Sequence, residues 1–304
     1  MAAQVLEAVA PSISLTEEQI AFYHEKGYIV VEKVLDEEKL ITLREVTDQV
    51  VEGARGLTQH TDVYDLEDSH IPEEPRVRRV KNPSKVHPVY RALSRDTTIL
   101  HIVSQLIGPN IRFHSEKLNM KSAGYGAPVE WHQDWAFYPH TNDDVLAVGI
   151  FLDDCTLENG PLMVIPGSHK GPIYDHHAEG LFCGAIHPSC KVNYEDAVPL
   201  TCNAGGMTIH HVRAVHGSAP NRSDKPRRLL LFAYAAVDAW PLMGMGQSGA
   251  KTYEEFNELI VAGEATNQPR VTPVPVRLPL PPAKYGGSIY ENQKGKLGGS
   301  YFQN

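Results

Sequence analysis

His132 and Asp134 stand two apart in Trp131-His132-Gln133-Asp134, and a further histidine, His216, follows much later in Val215-His216-Gly217-Ser218. In an extended chain successive side chains alternate faces, so His132 and Asp134 point the same way. A histidine from a neighbouring strand then completes a face of two imidazoles and one carboxylate with three positions left open. That donor set suits non-haem Fe(II), whose open positions take a co-substrate and dioxygen. The same residues also suit zinc, which nitrogen and oxygen sites generally bind more tightly than Fe(II), or a hydrogen-bonded polar cluster. A His-x-Asp tripeptide is common by chance, so its surroundings decide.

Those surroundings are Asp153-Asp154-Cys155-Thr156-Leu157-Glu158-Asn159-Gly160-Pro161-Leu162, then Val164-Ile165-Pro166-Gly167-Ser168-His169, and finally His216-Gly217-Ser218-Ala219-Pro220-Asn221-Arg222-Ser223 with Pro226-Arg227-Arg228. Together with the Trp-His-Gln-Asp motif they resemble the phytanoyl-CoA dioxygenase family of Fe(II)/2-oxoglutarate-dependent oxygenases. The likeness runs in the same order from about Thr16 to about Ala236 and is much weaker from Trp240 to Asn304.

The resemblance implies that His132, Asp134 and His216 are iron ligands. It also implies that Arg227, with Ser218 beside it, holds the far carboxylate of 2-oxoglutarate. Chemistry supports the spacing: Ser218 to Pro226 is rich in turn residues, and Arg227 to Ala236 is apolar enough to return as a strand beside His216. An arginine fork binds a carboxylate through two parallel hydrogen bonds. A one-residue slip would exchange Arg227 for Arg228. Asn119 and Lys121, just before the metal motif, are open to contact with 2-oxoglutarate or substrate, and equally to packing.

The implied fold is a double-stranded β-helix: a mainly β, cupin-like jelly-roll barrel flanked by helices. The implied reaction oxidises, most simply hydroxylates, a C–H bond of a small molecule such as a secondary metabolite. Dioxygen is consumed, and 2-oxoglutarate leaves as succinate and CO2. Family members also desaturate, epoxidise or rearrange, and the sequence does not choose among these outcomes. A carboxylate at position 134 speaks against halogenation. Two other readings remain: a metal-binding jelly roll without turnover, and a cupin-like metalloenzyme that needs no keto acid.

The elements that must position these residues follow from patterning. The 304 residues read as one domain over 1–304, with a mostly helical flank at 14–110, a jelly-roll core at 111–237 and a C-terminal extension at 238–304. Ser14-Leu15-Thr16-Glu17 looks like a capping box before a helix ending at Gly27. Tyr28 to Val34 predicts a strand, Asp36 to Val51 a helix, and Gly53 to Pro75 a mobile acidic loop. Pro88 to Ile107 predicts one helix, and Ile209 to His216 and Arg228 to Val237 predict strands. Gly171 to Asn203 reads as a long insertion over the barrel mouth. Pro273, Pro275, Pro279, Pro281 and Pro282 bar the tail from a central strand or helix.

With 42% hydrophobic and 21% charged residues the chain is of ordinary globular composition, and a net charge of −9 argues against nucleic-acid binding. Arg76, Arg78, Arg79 and Lys81 make only a small basic patch. Cys155, Cys183, Cys190 and Cys202 form no CxxC pair and read as reduced thiols. Met1 to Ser14 is a poor signal peptide, no run reaches membrane-spanning length, and Tyr301-Phe302-Gln303-Asn304 is no peroxisomal address. The expectation is a cytoplasmic protein that binds no membrane; nothing in the sequence reports its oligomeric state.

Other residues carry two readings. Trp135, Phe137 and Tyr138 either line a substrate pocket or pack the core. Arg79, with Arg78, either clamps an anionic substrate or belongs to a surface stripe, and the surface is the simpler expectation. His211 reads as a strand residue supporting the site, with His210 on the opposite face. His169 reads as structural, and His176, His177 and His187 as solvated loop residues.

Overall fold

The computed structural model describes residues 13–124, 126–282, 289–293 and 302. Most of the leader and C-terminal tetrapeptide considered above therefore lies outside the described residues. In chain order, α1 (Glu17–Lys26), β1 (Tyr28–Val31), α2 (Glu37–Glu52), β2 (Tyr64–Leu66), β3 (Val77–Lys81), α3 (Pro88–Leu93) and α4 (Thr97–Ile107) come first. Then follow β4 (Ile111–Lys121), β5 (Val129–His132), β6 (Val145–Phe151), β7 (Leu162–Val164), β8 (His177–Ala178), β9 (Leu181–Phe182), β10 (Val198–Leu200), β11 (Met207–His211), β12 (His216–Ser218) and β13 (Arg227–Ala236). The last elements are α5 (Tyr253–Glu258), β14 (Ile260–Ala262) and α6 (Ile289–Gln293).

The capping box is shifted from the expected Ser14–Glu17 to Thr16 and Gln19, whose side chains bond each other's backbone N–H. The helix ends at Gly27, whose φ of +79° suits glycine. A β-carbon there would also lie 2.3 Å from His169 Nδ1, so the tight approach of α1 to the Pro166-Gly167-Ser168-His169 turn needs glycine for room as well. The single helix expected over 88–107 is two helices. Asp96 accepts hydrogen bonds from the N–H groups of Thr98 and Ile99, so it restarts the chain as an N-cap in the middle of the apolar pattern.

Two antiparallel sheets face each other rather than closing into a barrel. The larger has the order β1-β11-β6-β13-β4-β3-β2, with β14 also on β4; the smaller has the order β10-β7-β12-β5. The N-terminal flank is therefore not only helical: β1, β2 and β3 extend the large sheet, and β2 lies inside the segment expected to be a mobile loop. The expected insertion over 171–203 is tied down by the β8–β9 hairpin and by β10 on β7.

Period-two alternation divides the large sheet into two jobs. Leu118, Met120, Val148, Ile150, Met207, Ile209, Leu230 and Phe232 pack with Leu43, Val46, Ile99 and Val103 of the helices in one buried cluster. The intervening residues Lys117, Asn119, Lys121, His210, Leu229 and Leu231 turn to the opposite face and line a cavity between the sheets. α6 reaches the cavity. Gln293 accepts from Glu130 N–H (3.1 Å) and donates to the Gly184 carbonyl (2.8 Å), which brings Ile289 and Tyr290 to the cavity wall.

Candidate active site

His132 closes β5, and its antiparallel partner in β12 is His216, so strand pairing alone sets the two imidazoles side by side, 4.1 Å between ring centroids. Asp134 lies just beyond the strand, at the start of a short 3-10 turn, rather than on an extended run as the spacing argument assumed. Its Oδ1 is 3.7 Å from His132 Nε2, and one donor atom from each of the three residues lies within 4.8 Å of the others. Metal–ligand bonds of about 2.0–2.2 Å place neighbouring ligand atoms roughly 3–4 Å apart, so modest contraction suffices.

The tautomers fit a metal as well. His132 Nδ1 meets the Glu130 carbonyl at 2.7 Å, and His216 Nδ1 meets the Ala214 carbonyl at 3.0 Å. A carbonyl only accepts, so both Nδ1 atoms carry the proton and both Nε2 lone pairs are free. Burial drives His132 down to about 4 and His216 well below the usual histidine range. For Asp134 burial pushes upward, but Lys117 first, and then the His210 ring beside it, overcome this and hold the carboxyl ionised, well below its ordinary value. Neutral imidazoles and an ionised carboxylate are the forms that bind a cation.

Gln133, between the two candidate ligands, faces away and ties them to the long insertion. Its side chain reaches Pro172 and Arg213 carbonyls and the Tyr174 N–H, while its own N–H donates to His176 Nε2. His176 and His177 are therefore buried supports, which corrects the expectation of solvated rings. His210 and His211 exchange the roles expected of them. His211 packs against Tyr23 and His169 on the helix side, whereas His210 is buried in the cavity, with Nε2 3.5 Å from Asp134 Oδ2.

At the other end of the cavity, Arg227 opens β13 opposite Lys121 and is 2% exposed. Arg227 Nη2 donates to the Gly160 carbonyl at 2.7 Å, and its Nε has no hydrogen-bond partner among the described residues. Ser218 lines the same cavity. Lys121 Nζ is already engaged by the Ala127 and Ala219 carbonyls, at 2.7 and 2.5 Å. Arg228 turns to the opposite face and pairs with Asp153 and Asp48. Arg78 and Arg79 are both buried rather than on the surface; Arg79 lines the cavity and donates from Nε to Asn119 Oδ1 at 3.1 Å.

The three aromatic residues after Asp134 are not in the cavity lining. Trp135 is a core residue whose indole N–H reaches the Pro275 carbonyl at 2.9 Å; Phe137 packs on Phe182 and edge-on to His132, 5.8 Å between centroids; Tyr138 lies against His114 and His140, and burial followed by the neighbouring Asp134 carboxylate pushes its hydroxyl well above the usual phenol range. Lys117 and Tyr290 were missed. Lys117 could have been found by counting back two from Asn119 along one strand; Tyr290 sits in a five-residue helix with no pattern to read.

Burial also keeps several histidines neutral: His114, His176 and His211 are driven to about 3, and His140, like His132, to about 4, from an ordinary 6.5. Below 6.5 the unfolded chain binds protons that the folded one refuses. Stability is thus full above that value and erodes as the pH falls toward 4. Thermal unfolding of the metal-free protein should show a melting temperature that drops between about pH 6.5 and 5, because these five histidines outweigh Glu67, whose carboxyl burial raises to about 7 and which acts with the opposite sign. A flat profile there would contradict neutral burial.

A jelly roll of two antiparallel sheets with two histidines and a carboxylate converging between them has the donor set of the non-haem Fe(II) oxygenases. Residues 23–229 match the family described as "Phytanoyl-CoA dioxygenase (PhyH)". The chain is 41% identical over 285 residues to a "Probable alpha-ketoglutarate-dependent hypophosphite dioxygenase" of Stutzerimonas stutzeri, covering 91% of this chain and 96% of that one. It is 27% identical over 244 residues to an "Ectoine dioxygenase" of Sphingopyxis alaskensis, covering 73% and 76%. Among solved structures it resembles EctD from S. alaskensis with bound Fe, with a TM-score of 0.63 at 22% identity, covering 85% of this chain and 88% of that one. The chain belongs to the phytanoyl-CoA dioxygenase family, and it is an Fe(II)- and 2-oxoglutarate-dependent dioxygenase.

Proposed function

We propose that His132, Asp134 and His216 hold the iron, that Arg227 and Ser218 take the far carboxylate of 2-oxoglutarate, and that the enzyme inserts oxygen into an X–H bond of a compact anion. The observation that carries the ligand assignment is the His132–His216 strand pair, with both Nδ1 atoms tied to carbonyls, Asp134 Oδ1 3.7 Å from His132 Nε2, and one donor atom of each residue within 4.8 Å of the others. Bound iron with 2-oxoglutarate would supply the oxidising power. The chain's own part is to orient: the β5–β12 pair fixes the imidazoles, Lys117 keeps Asp134 ionised, and Arg227 sets the co-substrate's direction.

Two things support a compact anion. The S. stutzeri relative is named for hypophosphite, a small phosphorus oxyanion. The cavity has a volume of only about 50 Å³, and four basic side chains, Arg79, Lys117, Lys121 and Arg227, face one carboxylate in it. Oxidation at P–H or C–H of a phosphorus oxyanion is the reading. A cytoplasmic site of action is part of it, supported by four free cysteines; no described helix is long and apolar enough to cross a membrane.

The test is anaerobic titration of Fe(II)-loaded protein with 2-oxoglutarate, followed by the weak visible charge-transfer absorption of the chelate. The band should form in the native enzyme and vanish in His132→Ala. Folded, iron-loaded protein with no band and no 2-oxoglutarate binding would return the chain to the non-catalytic or cupin-like alternatives.

A further inference from the structure

Arg227 accounts for one cation in the cavity and Lys121 for another, since the Lys121 ammonium is spent on two carbonyls. Lys117 and Arg79 are left over. Both line the cavity from the β3–β4 side, at the end where Asp134 lies. Lys117 Nζ takes part in none of the hydrogen bonds or ion pairs found among the described residues. Arg79 uses only Nε, on Asn119, and stacks 5.5 Å over the Tyr290 ring; its terminal nitrogens have no protein acceptor among the described residues.

Beside them is a third unsatisfied group. His210 is 1% exposed and lines the same cavity; its Nε2 has only a long 3.5 Å contact to Asp134 Oδ2, and its Nδ1 has no hydrogen-bond partner among the described residues. Buried polar groups are almost always paired, so a ring this poorly satisfied and facing a cavity points to a further acceptor.

Asp134 does not answer for these cations once the site is loaded. In the metal-free chain its carboxylate partly balances Lys117 and Arg79. A divalent ion on Asp134 takes that charge and adds two of its own. 2-Oxoglutarate returns two negative charges, one at the metal and one at Arg227. Lys117 and Arg79 would then remain buried without counter-charge, a costly state that a further anion relieves. The acids behind the wall do not serve: Asp65 is paired with Lys81 at 3.2 Å, and burial pushes Glu67 up to about 7.

We infer that Lys117, Arg79 and His210 form a second anion site, separate from Arg227, that seats the substrate as a compact tetrahedral oxyanion beside the metal. The inference rests on the iron and 2-oxoglutarate assignment above. The two cations neutralise the oxyanion, Arg79 is held in place by Asn119, and His210 donates to an oxygen on the Asp134 side. The site fixes which X–H bond faces the metal.

Calorimetric titration of the anaerobic Fe(II)·2-oxoglutarate complex with hypophosphite, methylphosphonate and phosphate separates this inference from its foundation. At least one probe should bind the native complex. Lys117→Met should weaken that probe about 10- to 100-fold, the loss expected for one charge-assisted hydrogen bond. Lys117→Arg should restore most of the affinity, and 2-oxoglutarate affinity in Lys117→Met should stay within about twofold. Because Lys117 also acts on Asp134, iron affinity is measured alongside, and His210→Phe supplies a second variant that keeps both cations and should weaken the same probe. If the chelate band forms but no probe binds, or the probe binds both variants as tightly as the native protein, the second anion site is wrong and the oxygenase assignment stands. If the band never forms, the assignment itself fails.

Discussion

Asp134→Ala abolishes the anaerobic chelate band and lowers turnover by at least about 10²-fold, more than the 10–100-fold typical of changes behind a metal ligand. Asp134 is the carboxylate of a cavity otherwise walled by Lys117, Arg79, Lys121 and Arg227. Removing it leaves two neutral imidazoles to attract a divalent cation into a positively charged space. The loss should therefore exceed that of either histidine variant in iron affinity. His210 makes the experiment more informative: its ring centroid is 4.2 Å from that of His216, so Asp134→Ala brings three imidazoles together without a carboxylate. Three imidazoles suit zinc. Zinc retained with Fe(II) lost is the expected pattern, measured by competition with a metal indicator. Unchanged iron binding in Asp134→Ala would remove Asp134 from the ligand set.

The convergence of His132, Asp134 and His216 was legible in the sequence because its geometry is local. Two residues apart at a strand end, opposite a histidine in the next strand, needs no knowledge of the rest of the fold. Arg227 was legible for a similar reason, since a turn-rich segment returns the chain close to where it left. His210 was misplaced, although the signal was present: Met207 and Ile209 are apolar and face the helices, so Thr208 and His210 must face inward. His211 disguised the pattern by being polar on the core side, where Tyr23 and His169 accommodate it. Arg79 looked like a surface residue because four basic residues lie close together in 76–81. Its burial comes from β3 pairing with β4 and from Tyr290, a residue more than two hundred positions away. The break at Asp96 was hidden by apolar periodicity continuing on both sides of the cap.

Arg227→Met raises the KM for 2-oxoglutarate by about 30-fold to several thousand-fold, whereas Arg228→Met leaves it within about twofold. Truncating one partner of a buried, hydrogen-bonded charge pair costs about 2–5 kcal/mol, and each 1.4 kcal/mol is about tenfold. Arg227 would meet that description with the co-substrate bound: it is 2% exposed, anchored through Nη2 to Gly160, and its buried Nε has no acceptor among the described residues. Methionine keeps much of the side-chain volume, so the loss reports on charge and fork geometry rather than on a hole. Arg228 is its neighbour on the other face, held by Asp153 at 2.7 Å and Asp48 at 2.6 Å. Removing it should lower the melting temperature and not the co-substrate affinity. Initial rates at varied 2-oxoglutarate, with thermal unfolding of both variants, check the pair. Similar KM values for both variants would take the co-substrate carboxylate away from Arg227. A raised KM in Arg228→Met alone would mean that β13 enters the cavity one residue out of the register in which Arg227 faces Lys121.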